Sequence, residues 1–393
     1  MNDAPRLPRR GLLGVGGALL AAPALGQTPA VPPLVVMEVT GAGLMLPLLH
    51  DFAAAHPGLV GGVALEQIDV DDITNGLGDA VAAGNSGVDL VFAGEAGIVA
   101  GIQADAWQPA ADWALGGLPP LDALVTPAAM ELWRGFEGRA LPILAGPNGP
   151  LLGWRSGGPA RAPRTPAELL DWARQNPGRF LYGRPPLVTS SRLFLRALPL
   201  LLGDSDPMRP ATGWERSWAY LAELDRHIDY YPTSMVAAAE EFADDGCDML
   251  VLSVAGDLEM RAAGLLPEDL GVSPFDDQGW AMSGISAAIP GDLPAERRPV
   301  VAALIRHLLT PAVQASMLFG RGADAGARIR LDVEGAAQGT LHAPTRPLGT
   351  RLMQIRPELQ LPQARLLPPL AWNDALEAGR IWDQRIGAAH GQR

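Results

Sequence analysis

From Leu34 onward the chain alternates short apolar runs with amphipathic segments. The run "PLVVMEV" reads as a strand that ends in a Thr-Gly-Ala-Gly turn. A helix follows through "LMLPLLHDFAAAHPG" and stops at Pro57-Gly58. Next come strand "VALEQIDVD", a helix opening at Asp71 or Asp72 through "DITNGLGDAVAAG", strand "VDLVFAG" and helix "EAGIVAGIQADAW". This β-α-β-α-β-α order with short connections predicts a mostly parallel sheet covered on both faces. Ligands of such sheets sit beyond the carboxyl ends of the strands. Here those ends are Thr40 to Gly43, Asp69 to Asp72, and Gly94-Glu95.

The pattern changes after Trp107. A stretch rich in Trp, Pro and Gly runs to about Arg139 and reads as surface structure with short helices. "GRALPILAGPNGPLLGWRSGGPARAPRTP" then reads as a first crossing into a second lobe, followed by a linker. In "RTPAELLDWARQNPG", Thr165 suits an N-cap, Pro166 the first helical position and Glu168 the third, a capping box. Strand "RFLYG" leads to the loop "RPPLVTSS", which delivers Thr189, Ser190 and Ser191 to the start of helix "RLFLRALPLLLG". Helix N-termini attract polar and anionic groups through their free N–H donors; equally, one of the three hydroxyls can serve simply as the N-cap. Helices "WERSWAYLAELDRHIDYYP" and "SMVAAAEEFADDG", strand "DMLVLS" and helix "GDLEMRAAG" make this second lobe α/β as well. "WAMSGISAAIPGDLP" reads as the strand that returns to the first lobe, "ERRPVVAALIRHLLTPAVQASMLFG" as two helices, and "AWNDALEAGRIWDQRIG" as a final one.

At 393 residues the chain suits two domains of roughly 100–200 residues each. Its 48% hydrophobic content supplies real cores, and a net charge of −13 argues against a nucleic-acid partner. All 30 basic residues are Arg, which excludes Schiff-base lysines and the P-loop Lys. The N-terminus carries Arg6, Arg9 and Arg10 ahead of an apolar run, Gly11 to Leu25, and a small-residue cleavage site near Gly26. That is the pattern of a secretory signal, and Arg9-Arg10 before Gly11-Leu12-Leu13 favours twin-arginine export. The single cysteine, Cys247, cannot form an intramolecular disulfide and reads as a packed thiol beside a strand. The six His residues are scattered, and no zinc-binding pair, G-x-S-x-G elbow or phosphate loop occurs. Neither a catalytic motif, a metal site nor a cofactor is expected, which favours a binding protein over an enzyme.

An export signal, two α/β lobes joined by double crossings and a closing helical pair resemble the periplasmic solute-binding proteins of ABC importers. The resemblance is to the family 1 extracellular solute-binding type, near the thiamine, polyamine and iron(III) binders. It is carried by "GVDLVFAGEAG", "RTPAELLDWARQNPGRFLYGRPP", "AEEFADDGCDMLVLSVAG" and "SAAIPGDLPAERRPVVAALIRHLLTPAVQASML", and spans roughly Leu34 to Arg385. It implies a type II periplasmic binding fold, each lobe a mostly parallel sheet flanked by helices. The expected division is a signal peptide over 1–26, a first lobe from 34–145 and 286–330, a second lobe over 146–285, and a tail over 331–393. It also implies a monomer that captures a small polar solute between the lobes and delivers it to a permease and ATPase at the inner membrane.

The ligand-binding candidates are Thr40, Gly41, Asp69, Asp72 and Glu95 from the first lobe. From the second they are Thr189, Ser190, Ser191 and Ser253, with Trp280 on the return crossing placed to stack on or wall off the ligand. Glu95 suits a cationic solute, although an acid in a first helical turn is favoured by the dipole in any case. The turn at Thr40 lacks the aromatic residues of some polyamine and thiamine binders, and no cluster of iron-binding tyrosines is evident. A ligand sensor that presents to a membrane receptor, or an enzyme on the same architecture, are the alternatives.

Overall fold

The computed structural model describes residues 31–39, 45–110, 112–155, 161–267, 269–310, 312–314 and 366–389. The expected export signal, the turn at Thr40 and Gly41, and most of the stretch before the final helix lie outside these residues.

The first lobe is built as the apolar runs foretell. Strand β1 (Leu34–Glu38), helix α1 (Met45–Ala55), β2 (Val63–Gln67), the helical segment α2 (70–82), β3 (Leu90–Ala93) and α3 (Glu95–Gln103) follow in order. β1 lies between β2 and β3, parallel to both. In β1, Leu34, Val36 and Glu38 are buried while Val35 and Met37 between them are less so, the period of two of a strand. β3 is buried throughout, as an inner strand covered on both faces should be. The short β4 (Trp107–Gln108) and helix α4 (Pro127–Gly135) precede β5 (Ala140–Gly149).

Only Pro150 separates β5 from β6 (Leu151–Trp154), yet β6 belongs to a different, four-stranded sheet. Helix α5 (Pro166–Gln175), β7 (Phe180–Leu181), α6 (Thr189–Leu201), α7 (Glu215–Asp225), α8 (Met235–Ala243), β8 (Met249–Leu252), α9 (Val254–Ala262) and β9 (Gly271–Ser273) complete this second lobe. β7 and β8 are parallel, whereas β6 runs antiparallel to both β8 and β9. The pairings here are therefore more mixed than the expected mostly parallel sheet, because the chain enters the lobe along β6 from the opposite direction. At α5, the Thr165 hydroxyl accepts from the Glu168 amide at 3.2 Å, as the capping box requires. The Glu168 carboxylate reaches one residue further back than expected, to the Arg164 amide at 2.7 Å.

The chain returns along β10 (Trp280–Pro290), antiparallel to β3 and to β5, and ends the described first lobe with α10 (Arg298–Leu308). The β5–β10 ladder shifts register twice, leaving out Ile143 and Asn148. Each shift falls at a proline, Pro142 opposite Ser286 and Pro147 opposite Met282. Proline has no amide hydrogen to give a ladder, so it sits at bulges, and a bulge turns the extra residue's side chain out of the regular alternation.

A third passage links the lobes. β11 (Leu366–Leu367) pairs with Trp280 and Ala281, and the Trp372 indole donates to Glu137 of the first lobe at 2.8 Å. Helix α11 (Trp372–Arg385) then packs on the second lobe. There Trp382 is fully buried, donates to the Tyr182 hydroxyl at 3.1 Å and packs edge-on against Tyr182 and Tyr231.

Burial pushes the Cys247 thiol up to about 12, so it stays protonated and inert at neutral pH. Among the described residues no helix is long and apolar enough to cross a membrane.

The ladder sets a sharp test of packing. A Cβ on Gly284 would lie 1.8 Å from the Leu144 carbonyl oxygen, whereas one on Gly146 would meet nothing within 4 Å. Gly284→Ala is expected to lower stability by about 3 kcal/mol or more in urea unfolding, and Gly146→Ala by less than about 1 kcal/mol. Equal losses would mean the strands are not held at this spacing.

Candidate functional site

The centre of the molecule lies where β5 and β10 leave the first sheet. Asn148, turned out of the ladder by its bulge, donates to the Ser283 hydroxyl at 2.6 Å and accepts from the Ala255 amide at 2.8 Å. One side chain thus ties the return strand to the first turn of α9. Gly149 beside it has φ of 134°, a conformation that favours glycine.

Helix N-termini from both lobes surround this point. α3 starts at Gly94, where an added Cβ would come within 3.8 Å of the Gly284 carbonyl oxygen. α8 starts with Met235, whose sulfur receives the Ser190 hydroxyl of α6 at 3.6 Å. The same sulfur would be 3.7 Å from a Cβ on Gly256 in α9. The first turns of α6, α8 and α9 therefore converge, and that of α3 faces them from the other lobe. Unpaired N–H groups at such turns favour polar and negatively charged partners.

The sequence candidates fall into three groups. Thr40 and Gly41 lie outside the described residues. Asp69 and Asp72 are exposed at the start of α2, where the Asp72 carboxylate accepts from the Asp69 amide at 2.9 Å. Ser253 caps α9, its hydroxyl accepting from the Gly256 amide at 2.9 Å. Trp280 is buried in the first core, with its backbone paired to Leu366.

The hydroxyl cluster is different. The residue before α6 is Val188, which offers no side-chain cap, so Thr189, Ser190 and Ser191 occupy the first turn itself. The exposed Thr189 hydroxyl accepts from Arg192 at 3.1 Å. Ser191 is 0% exposed, and its hydroxyl has no hydrogen-bond partner among the described residues. Leaving a buried polar group unpaired costs about 1–3 kcal/mol, so such an atom calls for an explanation.

Glu95 is already paired. Its carboxylate lies 3.3 Å from Nε of Arg192, an ion pair that joins the first turn of α3 to α6 across the lobes. Arg192 also donates to the carbonyls of Pro185 and Pro186 at 3.1 and 3.2 Å. One helical turn on, Arg196 is only 7% exposed. It donates to the carbonyls of Pro207 and Pro368 at 3.0 and 2.9 Å, while its Nε has no partner among the described residues. Among the described residues no carboxylate lies within 4 Å of Arg196, and burial pushes its guanidinium down to about 10 despite the attraction of Glu95.

These residues border a cleft between α6, the Leu367–Leu370 passage and the first lobe, with a cavity volume of about 60 Å³. Its walls include Leu132, Pro186, Leu193, Trp214 and Met282.

Sequence reasoning missed Asn148, Arg192, Arg196 and Glu38. The last is a fully buried acid at the end of β1 that accepts from the side-chain Nε2 of Gln67 at 2.8 Å. Only the arginines left a signal, two cations spaced i, i+4 on one face of an apolar helix.

Two α/β lobes joined by paired crossings, with polar helix starts facing each other between them, define a two-lobed type II periplasmic binding fold. The chain belongs to the bacterial extracellular solute-binding protein family, whose model matches residues 48–322. Solved structures share the fold at low identity. A periplasmic thiamin binding protein aligns over 93% of this chain and 98% of its own, with 14% identity and a TM-score of 0.61. An ABC transporter substrate-binding protein from Bradyrhizobium japonicum aligns over 90% and 99%, with 16% identity and a TM-score of 0.60. The periplasmic binding protein AfuA from Actinobacillus pleuropneumoniae, solved with fructose-6-phosphate bound, aligns over 91% and 99%, with 13% identity and a TM-score of 0.60. Among curated proteins none matches this sequence.

The Glu95–Arg192 contact joins partly exposed groups, so its worth in stability is small, about 1 kcal/mol or less. In an open–closed equilibrium near balance that figure is still a several-fold change in population. Glu95→Gln is expected to leave the melting temperature within a few degrees while increasing the ligand-free radius of gyration measured by X-ray scattering. An unchanged radius would show that the pair does not hold the lobes together.

Proposed function

We propose that this protein captures a small polar solute between its lobes and hands it to a membrane permease driven by an ATPase. On this reading it is exported through its twin-arginine signal, cleaved near Gly26, and works in the periplasm as a monomer. Its lobes comprise 34–145 with 286–330, and 146–285, with 331–393 as a tail. The observation that carries the reading is the convergence of helix starts from both lobes on Asn148 and Ser283, with the buried Ser191 hydroxyl unpartnered among the described residues.

Binding and closure are one equilibrium in such a device. A solute that touches both lobes only when they approach shifts the population toward the closed form by its differential affinity. The donors at the starts of α3, α6, α8 and α9 are fixed by their helices, so a solute meets a prearranged polar surface and little side-chain freedom is lost on binding. Membership of a solute-binding family and the likeness to ABC substrate-binding proteins support this reading over an enzyme. Glu95, the acid a cationic solute would use, has a cation of its own in Arg192.

The test is a thermal-shift panel on the mature chain from Gln27, refolded to strip carried ligand. It spans thiamine and its phosphates, polyamines, amino acids, sugars, organic acids, phosphonates and ferric ion. A solute at 100 times its dissociation constant should add about 2.7 kcal/mol, or about 5–10 °C for lobes of this size. Ser190→Ala with Ser191→Ala should then weaken that solute about tenfold or more. Unchanged affinity in the double variant would remove α6 from the site, and silence across the panel would count against solute capture.

A further inference from the structure

The cleft between α6 and the C-terminal passage holds a charge that its surroundings do not balance. Two guanidinium groups and one carboxylate border it, Arg192, Arg196 and Glu95. Glu95 pairs with Arg192, so the positive charge on Arg196 is left over. Arg196 is buried, and its described partners are neutral: two proline carbonyls and the Met208 sulfur at 3.1 Å. Carbonyls soften the loss of water but do not neutralise an ion.

A second donor nearby is also unsatisfied. Trp214 is 1% exposed and lines the same cleft, and its indole N–H has no partner among the described residues. An acceptor that took both the Arg196 Nε hydrogen and the Trp214 hydrogen would satisfy two buried donors and one buried charge together. The remaining side chains on its walls are prolines, leucines, alanines and Met282, none of which can pair with a polar ligand body.

We infer that this cleft binds a small carboxylate with an apolar body, its carboxylate held by Arg196 and Trp214 and its hydrocarbon part lying against Leu132, Leu193 and Leu367. A monoanion balances the one surplus positive charge, whereas a phosphate ester would bring a second charge that nothing on these walls meets. The inference rests on the solute-capture reading above, since the cleft opens between the lobes beside Glu95, and it names the chemical class of the solute.

The probes are phenylacetate, its uncharged twin phenylacetamide, and phenyl phosphate, titrated calorimetrically into the refolded mature chain. Phenylacetate should bind about tenfold or more tightly than phenylacetamide, and more tightly than phenyl phosphate. Arg196→Met should abolish the preference for the acid over the amide, and Arg196→Lys should keep part of it. Because Arg196 also anchors Pro368, the methionine variant can fail to fold. Trp214→Phe then serves instead and should weaken phenylacetate severalfold while leaving phenylacetamide unchanged.

Equal binding of acid and amide, or binding of neither, overturns the inference. So does an Arg196→Met protein that melts lower yet retains the preference, for Arg196 would then be only a structural clasp. A panel solute that binds and compacts wild-type and Arg196→Met protein alike would overturn this inference while leaving solute capture intact.

Discussion

The antiparallel pairing of β5 with β10 is the constraint from which the rest of the structure follows. It runs from Ala140 opposite Ala288 to Gly149 opposite Ala281, and both strands continue into the second lobe. The strands approach so closely at Gly284 that no side chain fits there. Lobes joined this way have few backbone dihedrals about which to move, so motion is confined to the ends of the ladder. The prolines that interrupt it place its bulges, and one bulge projects Asn148 to the start of α9. The proposed hinge and the centre of the candidate site are therefore a single piece of chain.

The C-terminal passage adds a second constraint. Pro369 packs against Gly135 of the first lobe, where an added Cβ would lie 3.4 Å from its ring. From there the chain is anchored to the second lobe by Trp382 and by Asp383, whose carboxylate pairs with Arg184 at 2.5 Å. A link fixed at both ends limits how far the lobes can separate, and the same link forms one wall of the cleft beside Arg196. Opening must then either slide β11 along β10 or bend the chain between Leu367 and Trp372. The two-residue pairing of β11 is the weaker of those joints, because short ladders at a sheet edge have few hydrogen bonds to lose.

Much of the fold was legible because it depends on local patterns. The alternation in "PLVVMEV", the Thr165-Pro166-Glu168 cap and the apolar stripe of "RPVVAALIRHL" each state their element within a dozen residues. The candidate site was legible only where it coincided with such patterns: the strand end at Glu95 and the hydroxyls before "RLFLRAL" stand among its candidates for that reason. Asn148 was not, since "GPNGP" reads as punctuation until its partner strand shows which residue is left unpaired. Arg196 was not either, because an arginine in an amphipathic helix looks solvated. Pro207, Met208 and, far along the chain, Pro368 come together over it. Asp69 and Asp72 show the converse, a conspicuous acidic pair engaged in starting a helix.

The two lobes have substantial cores, one around Phe52, Phe92 and Trp107 and the other around Phe194, Trp218 and Trp382. Against cores of this size, unsatisfied polar atoms at Ser191, Arg196 and Trp214 can be tolerated, each costing about 1–3 kcal/mol. Filling those positions with apolar residues of similar volume would often be neutral or stabilising in a protein that needed only to fold. On the solute-capture reading, Arg196 and Trp214, which line the cleft, are the places where an added ligand gains most, because the cost of stripping water from the protein's donors has already been met in folding. Affinity in such a cleft comes from donors that are dry and fixed before the solute arrives, and the stability of the two cores is what holds them so.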